Sequence, residues 1–203
     1  MNALQQVQPA KLVPSAFSHT RYTIKRPWLT FLGRKFYVYG PDGQVVLFVR
    51  HKMMTLKDEW NVFSDDTERV PLLKVKARQA IALDIVTDIF DVASGQNLGA
   101  VRNKGLKSII RDTWECLDAT DVVVGKFAED SSSLLRRFIP LLLGRWHLEM
   151  NGAPVARLDQ VFRFFSKEFS LVVSGPPGKA DTRFIIGCAL LALMREISRE
   201  QQS

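Results

Sequence analysis

The longest apolar run of the chain reads Phe184-Ile-Ile-Gly-Cys-Ala-Leu-Leu-Ala-Leu-Met194. It holds eleven residues without a charge, and Arg183 and Arg195 close it on both sides. A helix needs about 20 apolar residues to cross a bilayer, so this run is too short for a transmembrane anchor. A helix that is apolar on all faces is instead buried inside protein. We therefore expect a buried helix over residues 181–198.

The ends and the small residues of this run fit a buried helix. Asp181 or Thr182 can cap its first turn, and residues 195–199 place charge near its last turn. Three small residues permit close approach of neighbouring segments: Gly187, Ala189 and Ala192.

Outward from this run, the chain from Arg21 onward reads as short segments rich in β-branched and aromatic residues, separated by turn residues. The connections between them are too short for crossover helices, which predicts antiparallel pairing. The clearest predicted strands are Lys35–Tyr39, Val45–Val49, Leu72–Lys76, Thr113–Leu117, Val122–Lys126 and Phe169–Val173.

A weak internal repeat gives the size of the sheet. Strand-turn-strand units recur around Gly43, Gly95 and Gly152, which are 52 and 57 residues apart. Asp-Gly and Asn-Gly are strong hairpin signals because the tight turns between antiparallel strands require positive φ. Spacing of this size corresponds to about four strands per unit, hence about twelve in all, and so large a sheet curls or closes.

The predicted fold is therefore mainly β: a closed antiparallel barrel of about twelve strands around a central hydrophobic C-terminal helix. Strand side chains alone cannot fill so wide a barrel, and the run 184–194 is the segment that can. We expect one domain over residues 21–200, preceded by a flexible arm over residues 1–20. A second short helix is predicted over Ser131–Ile139, ended by Pro140.

Charge and cysteine content bound the partners and the compartment. The formal net charge is +7 with a pI near 9.6, which favours an anionic partner, either a membrane surface or nucleic acid. The two cysteines, Cys116 and Cys188, indicate no disulfide framework. The first twenty residues lack the pattern of a signal peptide. We expect a cytoplasmic protein that can be peripheral at a membrane.

Several segments resemble one known superfamily. They are the strand-turn-strand unit 36–50, the unit Ile89-Phe-Asp-Val-Ala-Ser-Gly, and Phe169-Ser-Leu-Val-Val followed by the apolar run with its Ile186-Gly187 pair. In order and spacing, residues 21 to 200 resemble the superfamily that joins tubby C-terminal domains, phospholipid scramblases and LURP-one-related proteins.

The resemblance implies a twelve-stranded barrel around a central helix, without a catalytic constellation. Tubby domains hold phosphoinositide headgroups in a basic pocket, and scramblases are credited with calcium-dependent lipid movement. This chain lacks the cysteine cluster, the long Pro-rich region and the membrane span of scramblases. Its segment Ser174–Asp181 offers a single carboxylate, whereas Ca²⁺ takes six to eight oxygen ligands. A scramblase-related lipid-handling protein without a calcium site stays an alternative.

Catalytic and metal-binding patterns are weak in the sequence, which predicts no enzyme, no cofactor and no metal. The histidines His19, His51 and His147 are scattered. The acidic pairs at 65–66 and 129–130 read as solvated loop charges, and Gly175-Pro-Pro-Gly178 reads as a turn rather than a phosphate-binding loop.

Two basic groups are the candidate ligand-binding residues. Lysine and arginine on turns at a barrel rim would bind phosphate by charge and hydrogen bonding, and apolar residues beside arginines suit an anionic membrane. The alternative is a solvated rim beside a core helix. The predicted headgroup-binding residues are Arg102, Lys104, Lys107, Arg111, Arg136 and Arg137.

Three functions therefore compete at this point. The leading hypothesis is a non-enzymatic module that binds phosphoinositide or other anionic lipid headgroups. The second, a nucleic-acid-binding or regulatory adaptor, rests on net charge alone. The third, an enzyme or small-ligand carrier with a pocket at the barrel mouth, requires space that a helix in the lumen would occupy.

Overall fold

The computed structural model describes residues 15–27, 34–51, 59–78, 84–104, 113–130, 144–163, 166–175 and 180–200. Within them, a 3-10 helix at Ser15–Phe17 precedes twelve strands, and α1 (Thr182–Glu200) follows them. The strands are β1 Arg21–Pro27, β2 Arg34–Tyr39, β3 Val45–His51, β4 Glu59–Phe63, β5 Pro71–Ala77, β6 Asp84–Asp91, β7 Asn97–Lys104, β8 Thr113–Leu117, β9 Val123–Glu129, β10 Arg145–Met150, β11 Ala153–Val161 and β12 Ser166–Val173.

The strands form one closed antiparallel barrel, which confirms the predicted fold class. Each strand pairs with its neighbours in sequence, and β12 closes the ring against β1. This closing pair runs from Arg21 opposite Val172 to Pro27 opposite Ser166. Closure leaves no unpaired sheet edge, which removes the exposed backbone groups at which open sheets aggregate.

The lumen face of the barrel follows the period of two that defines a strand. In β5, Leu73 and Val75 are buried and Lys74 between them is not, and β10 repeats this with Trp146 and Leu148 around His147. The buried residues join α1 in one hydrophobic core. The core therefore lies inside the ring, and the outer face is the solvated one.

α1 fills this lumen, as the sequence predicts. Residues 184–190 are consecutive and all buried, so every face of this part of the helix is covered. The helix contacts β5, β6 and β7 on one side of the ring and β12 on the other. Because β6 and β12 stand opposite each other in a ring of twelve, a helix that reaches both must cross the barrel axis.

The alternating strand directions divide the connections between two ends of the barrel. We call the end at which α1 begins the entry end; the connections 40–44, 64–70, 92–96, 118–122, 151–152 and 174–181 belong to it. The opposite end is the far end, to which the connections 28–33, 52–58, 78–83, 105–112, 130–144 and 162–165 belong. Two contacts set the direction of α1. Phe184 lies against Gly99 near the entry end, and Cys188, one turn later, contacts Cys116, which is paired with Val101.

Asp181 is the residue that caps α1. Its Oδ1 accepts the backbone N–H of Arg183 at 2.9 Å, and its carbonyl accepts the N–H of Ile185 at 3.0 Å. The Arg183 side chain turns back to the Asp181 carboxylate and also reaches Asp91 Oδ1 of β6 at 3.2 Å. This ion pair ties the first turn of the plug to the barrel wall.

The predicted hairpin glycines adopt the expected backbone. Gly43, Gly95 and Gly152 have φ of 77°, 68° and 75°. At the β10–β11 turn Asn151 also has positive φ, 50°, as a type I′ turn requires. At the β2–β3 turn the Gly40 N–H donates to the Gln44 carbonyl at 2.9 Å, and the pairing shifts register after Val38. The β10–β11 pairing also shifts register, between Leu148 and Glu149, so both hairpins carry an irregularity near the turn.

The structure bears on the end of the predicted N-terminal arm but not on the predicted second helix. The last part of the arm differs from the expected flexible segment, because Ala16 and Phe17 of the 3-10 helix are buried in the core. The predicted helix Ser131–Ile139 lies outside the described residues. Among the residues that the structure describes, no helix is long and apolar enough to cross a membrane.

We predict that Gly187→Ala destabilises the protein. Alanine normally stabilises a helix interior relative to glycine by about 1 kcal/mol, but a Cβ here would lie 2.6 Å from Cδ1 and 3.1 Å from Cγ2 of Ile89. Overpacking of a core costs about 1–3 kcal/mol, so the free energy of unfolding in urea should fall. In the Gly187→Ala background, Ile89→Val should restore part of the loss, whereas Ile89→Val alone should destabilise. A midpoint at or above wild type for Gly187→Ala would contradict the packing.

A second prediction concerns the pH dependence of stability. Burial alone would raise the pKa of Asp91, but two hydrogen bonds from Ser94 and the charge of Arg183 outweigh burial, so the pKa is lowered. A lowered pKa gives a stabilisation that is complete above the unfolded-state pKa, about 3.9, and is lost as pH falls through the folded pKa. Asp91→Asn should therefore lower the free energy of unfolding by about 1–3 kcal/mol at pH 7.

The difference between Asp91→Asn and wild type should narrow below about pH 4, because Asp91 of the unfolded chain then takes up a proton, and it should vanish once the pH is below the lowered pKa of folded Asp91. Asp66→Asn removes an exposed carboxylate from the same end and serves as the control. A difference that stays constant from pH 7 to pH 3 would count against the ion pair with Arg183. Urea unfolding across this pH range is the measurement.

Candidate functional site

The predicted basic residues belong to two neighbouring connections of the far end. β7 and β9 end at the far end, and β8 and β10 begin there. Lys107 and Arg111 belong to the first connection and Arg136 and Arg137 to the second; all four lie outside the described residues. Because β7 to β10 are consecutive in the ring, chain connectivity assigns the four cations to adjacent parts of one barrel end.

Arg102 and Lys104 lie on β7 itself. Lys104 is its last residue, opposite Asp84 of β6. Arg102 is directly opposite Glu115 of β8, and its Nε donates to Glu115 Oε2 at 2.7 Å. The two side chains are 28% and 25% exposed. The charge of Arg102 is thus paired across the sheet, so this residue is suited to hold β7 and β8 in register rather than to bind a ligand.

Further cations of the far end were not among the predicted site residues. Arg163 lies in the β11–β12 connection, is exposed, and has a loose pair with Glu168 at 3.3 Å. Arg145, at the start of β10, is 3.8 Å from Asp159. The signal that could have found them is the alternation of strand ends: once twelve antiparallel strands are numbered, every second connection belongs to the same end.

The two sets of connections, as strand order assigns them, differ in charge. The six far-end connections contain eight basic and three acidic residues, whereas the six entry-end connections contain two basic and seven acidic residues. The far-end basic residues are Lys52, Lys57, Arg78, Lys107, Arg111, Arg136, Arg137 and Arg163. The entry-end acidic residues are Asp42, Asp65, Asp66, Glu68, Asp118, Asp121 and Asp181. The two sets are separated in sequence order but not fully in space, because Arg78 of the first set contacts Asp121 of the second, and Arg50 near the end of β3 pairs with Glu68 at 2.7 Å.

Two of the entry-end carboxylates accept hydrogen bonds within their turns, and these bonds lower their pKa values. Asp65 accepts hydrogen bonds from the hydroxyl and N–H of Thr67, and these lower its pKa. Asp118 accepts from Thr120 Oγ1 and N–H and from the N–H of Val122, with the same effect on its pKa. Aspartate side chains that accept hydrogen bonds from backbone N–H groups of the same turn stabilise that turn. The negative charge of this end is therefore built into its hairpins.

One cation of the far-end set, Arg78, forms ion pairs with two carboxylates on the outer face of the barrel. Arg78 donates to both oxygens of Asp88, at 2.8 and 2.6 Å, and to both oxygens of Asp121, at 2.9 and 2.8 Å. The hydrogen bonds from Asp88 and Asp121 raise the pKa of Arg78. Two carboxylates around one guanidinium leave it no capacity for a further anion. Arg78 is accordingly a clamp between β5, β6 and the β8–β9 turn.

The remaining polar groups offer little catalytic chemistry. His147 Nδ1 is 2.9 Å from Asp130 Oδ1, and its Nε2 is 3.8 Å from Glu149 Oε1. Among the described residues, no group of three or more histidine, cysteine or acidic side chains could hold a metal ion. The expectation that Glu129 is a solvated loop charge is wrong, because it is the last residue of β9 and only 8% exposed.

The lumen also contains a pair of thiols. Cys116 of β8 and Cys188 of α1 are both free, buried and in side-chain contact. Burial raises the pKa of the Cys188 thiol, so it stays protonated and weakly nucleophilic. The pair packs the plug against the wall and is not suited to nucleophilic chemistry.

A comparison of the chain with protein-family models, curated proteins and solved structures found no match.

We predict that Arg102 contributes to stability through Glu115. In a double-mutant cycle with Arg102→Leu and Glu115→Leu, each single change removes the contact between the two side chains, and the double change removes both charges. The expected coupling energy is about 0.5–1 kcal/mol in urea unfolding. The same cycle at Lys74 and Glu59, a pair between β5 and β4 at 2.8 Å that is more exposed, is the control and should give a smaller coupling. Equal couplings, or none at Arg102, would contradict this role.

Proposed function

We propose that this protein is a non-enzymatic module that binds anionic lipid headgroups, phosphoinositides among them, and that the far end of the barrel is its contact surface. The observation that supports the proposal is the composition of the far-end connections, which strand order assigns to one end and which contain eight basic and three acidic residues. Net charge alone does not distinguish partners, but charge gathered at one end favours a planar anionic surface.

The proposed phosphate contacts are Lys104, Lys107, Arg111, Arg136 and Arg137. Arginine binds phosphate oxygens through two parallel hydrogen bonds, and lysine acts as a compact charge. Each cation held near an anionic leaflet contributes about 1 kcal/mol. Arg102 is left out of this set because Glu115 neutralises it; it supports the strand from which Lys104 extends.

The resemblance to tubby domains points to phosphoinositides among the anionic lipids. The scramblase-related alternative would require a different trigger from calcium. Asp181, the one acidic residue in the connection to α1, is engaged as helix cap and as partner of Arg183. The rigid, filled barrel favours a binding module over a carrier, since α1 takes the space in which a small ligand would lie.

Vesicle flotation tests the proposal. The full chain should float with phosphatidylcholine vesicles that contain a few per cent phosphatidylinositol bisphosphate or a larger share of phosphatidylserine, and should stay behind with phosphatidylcholine alone. Arg136→Gln with Arg137→Gln should weaken binding about 30-fold, since two cations contribute about 2 kcal/mol. Arg21→Gln with Arg69→Gln removes two exposed cations of the entry end and should change affinity less than twofold.

Two results would overturn the proposal. The first is equal flotation with neutral and anionic vesicles. The second is an equal loss of affinity in the far-end and entry-end variants, because binding would then follow net charge and not the barrel end. Retention on duplex DNA that falls steeply with salt, without flotation, would instead assign the basic end to nucleic acid.

A further inference from the structure

The two cysteines of the chain lie against each other inside the barrel. Cys116 is on β8 and Cys188 is on α1, 72 residues later. Both side chains are fully buried, both thiols are free, and the two side chains are in hydrogen-bonding contact. Cysteine packs as a small apolar residue, but that role gives no reason for the two thiols of a 203-residue chain to meet. The contact places an oxidisable pair between the helix and the barrel wall.

The packing of α1 on β7 independently brings these two residues to the same level. A Cβ on Gly99 of β7 would lie 2.9 Å from Cε2 of Phe184, near the start of α1. Two residues further along β7, about 7 Å away, Val101 is opposite Cys116. One turn further along α1, about 6 Å away, is Cys188. Both elements run away from the entry end, so the two cysteines face each other across the lumen wall.

The direction of the Cys116 side chain is fixed by the strand. In β8, Trp114 and Cys116 are buried in the core and Glu115 between them is not. On the helix, Gly187 packs directly against Ile89 of β6, where a Cβ would lie 2.6 Å from Cδ1. Such contacts keep α1 close to this part of the wall. A disulfide requires that closeness, because its two Cα atoms are about 4–7 Å apart.

We propose that Cys116 and Cys188 are a modification site, which a hydroperoxide oxidises to a disulfide that fixes α1 to the barrel wall. The thiolate of one cysteine attacks a peroxide oxygen; the O–O bond breaks, and a sulfenic acid and hydroxide form. The second sulfur then attacks the sulfur of the sulfenic acid; the S–S bond forms and the S–O bond breaks. The protons of the two thiols leave in water. With hydrogen peroxide, two thiols are oxidised and one peroxide is reduced to two waters.

Burial decides which molecules react. In the closed barrel neither sulfur is exposed, and burial raises the pKa of the Cys188 thiol, which keeps it protonated and weakly nucleophilic. The first step therefore belongs to molecules in which α1 has opened from the wall. When the helix returns, the second thiol lies beside the sulfenic acid and forms the disulfide before further oxidation. This inference concerns the lumen and does not rest on the proposed lipid contact.

A disulfide between these residues changes the stability of the whole barrel. It closes a loop that contains β9 to β12, and a cross-link around a loop of this length stabilises the fold by restricting the unfolded chain. The oxidised chain should therefore unfold at a urea concentration about 1–2 M higher than the reduced chain.

Peroxide treatment of the full chain, followed by alkylation and mass spectrometry, tests the inference. Hydrogen peroxide should lower the mass by about 2 Da, the mass of two hydrogens, and leave neither cysteine open to alkylation, and dithiothreitol should reverse both changes. The rate of this reaction should rise with urea at concentrations below the unfolding midpoint, because urea raises the open fraction.

Two matched variants serve as controls. Cys116→Ala and Cys188→Ala each leave one thiol without a partner, so peroxide should carry that thiol on to sulfinic acid and should not raise the urea midpoint. Urea unfolding of the untreated variants shows whether each is folded. The mass measurement on the wild-type chain is independent of both variants.

Four results would overturn the inference. They are thiols that stay unmodified even close to the urea midpoint, sulfinic acid or a disulfide between two chains in place of the internal disulfide, an internal disulfide that lowers the midpoint, and a rate that does not change with urea. The first two would show that the sulfurs are not placed to join. The third would show that the bond strains the barrel, and the fourth that no opening of α1 is needed.

Discussion

The burial of α1 on all faces is the constraint on which the rest of the structure depends. A ring of twelve strands is too wide for its own side chains to fill, and residues 184–190 supply the missing volume. The fit is close enough that position 187 has no room for a Cβ beside Ile89, and position 99 none beside Phe184. The helix in turn has no other place in which so apolar a surface could be covered. Barrel closure and helix burial therefore require each other.

The alternating direction of the strands assigns successive connections to opposite ends of the barrel. Each connection belongs to the end opposite the previous one, so strand order assigns the aspartate-rich turns to the entry end and the basic connections to the far end. The lipid contact that we propose rests on this assignment of six separate connections to one end.

Sequence patterns predicted the strands, the hairpin glycines and the capped helix, because these depend on neighbours within a few residues. They did not show that Glu115, thirteen residues on, neutralises Arg102, because that contact depends on the register between β7 and β8. The burial of Glu129 was missed for the same reason, since a strand end opposite Trp146 reads locally as a turn. The contact of Arg78 with Asp121 spans 43 residues. The choice of the far-end cations as ligand-binding residues stays a prediction, and the assignment of their connections to one end requires the strand order.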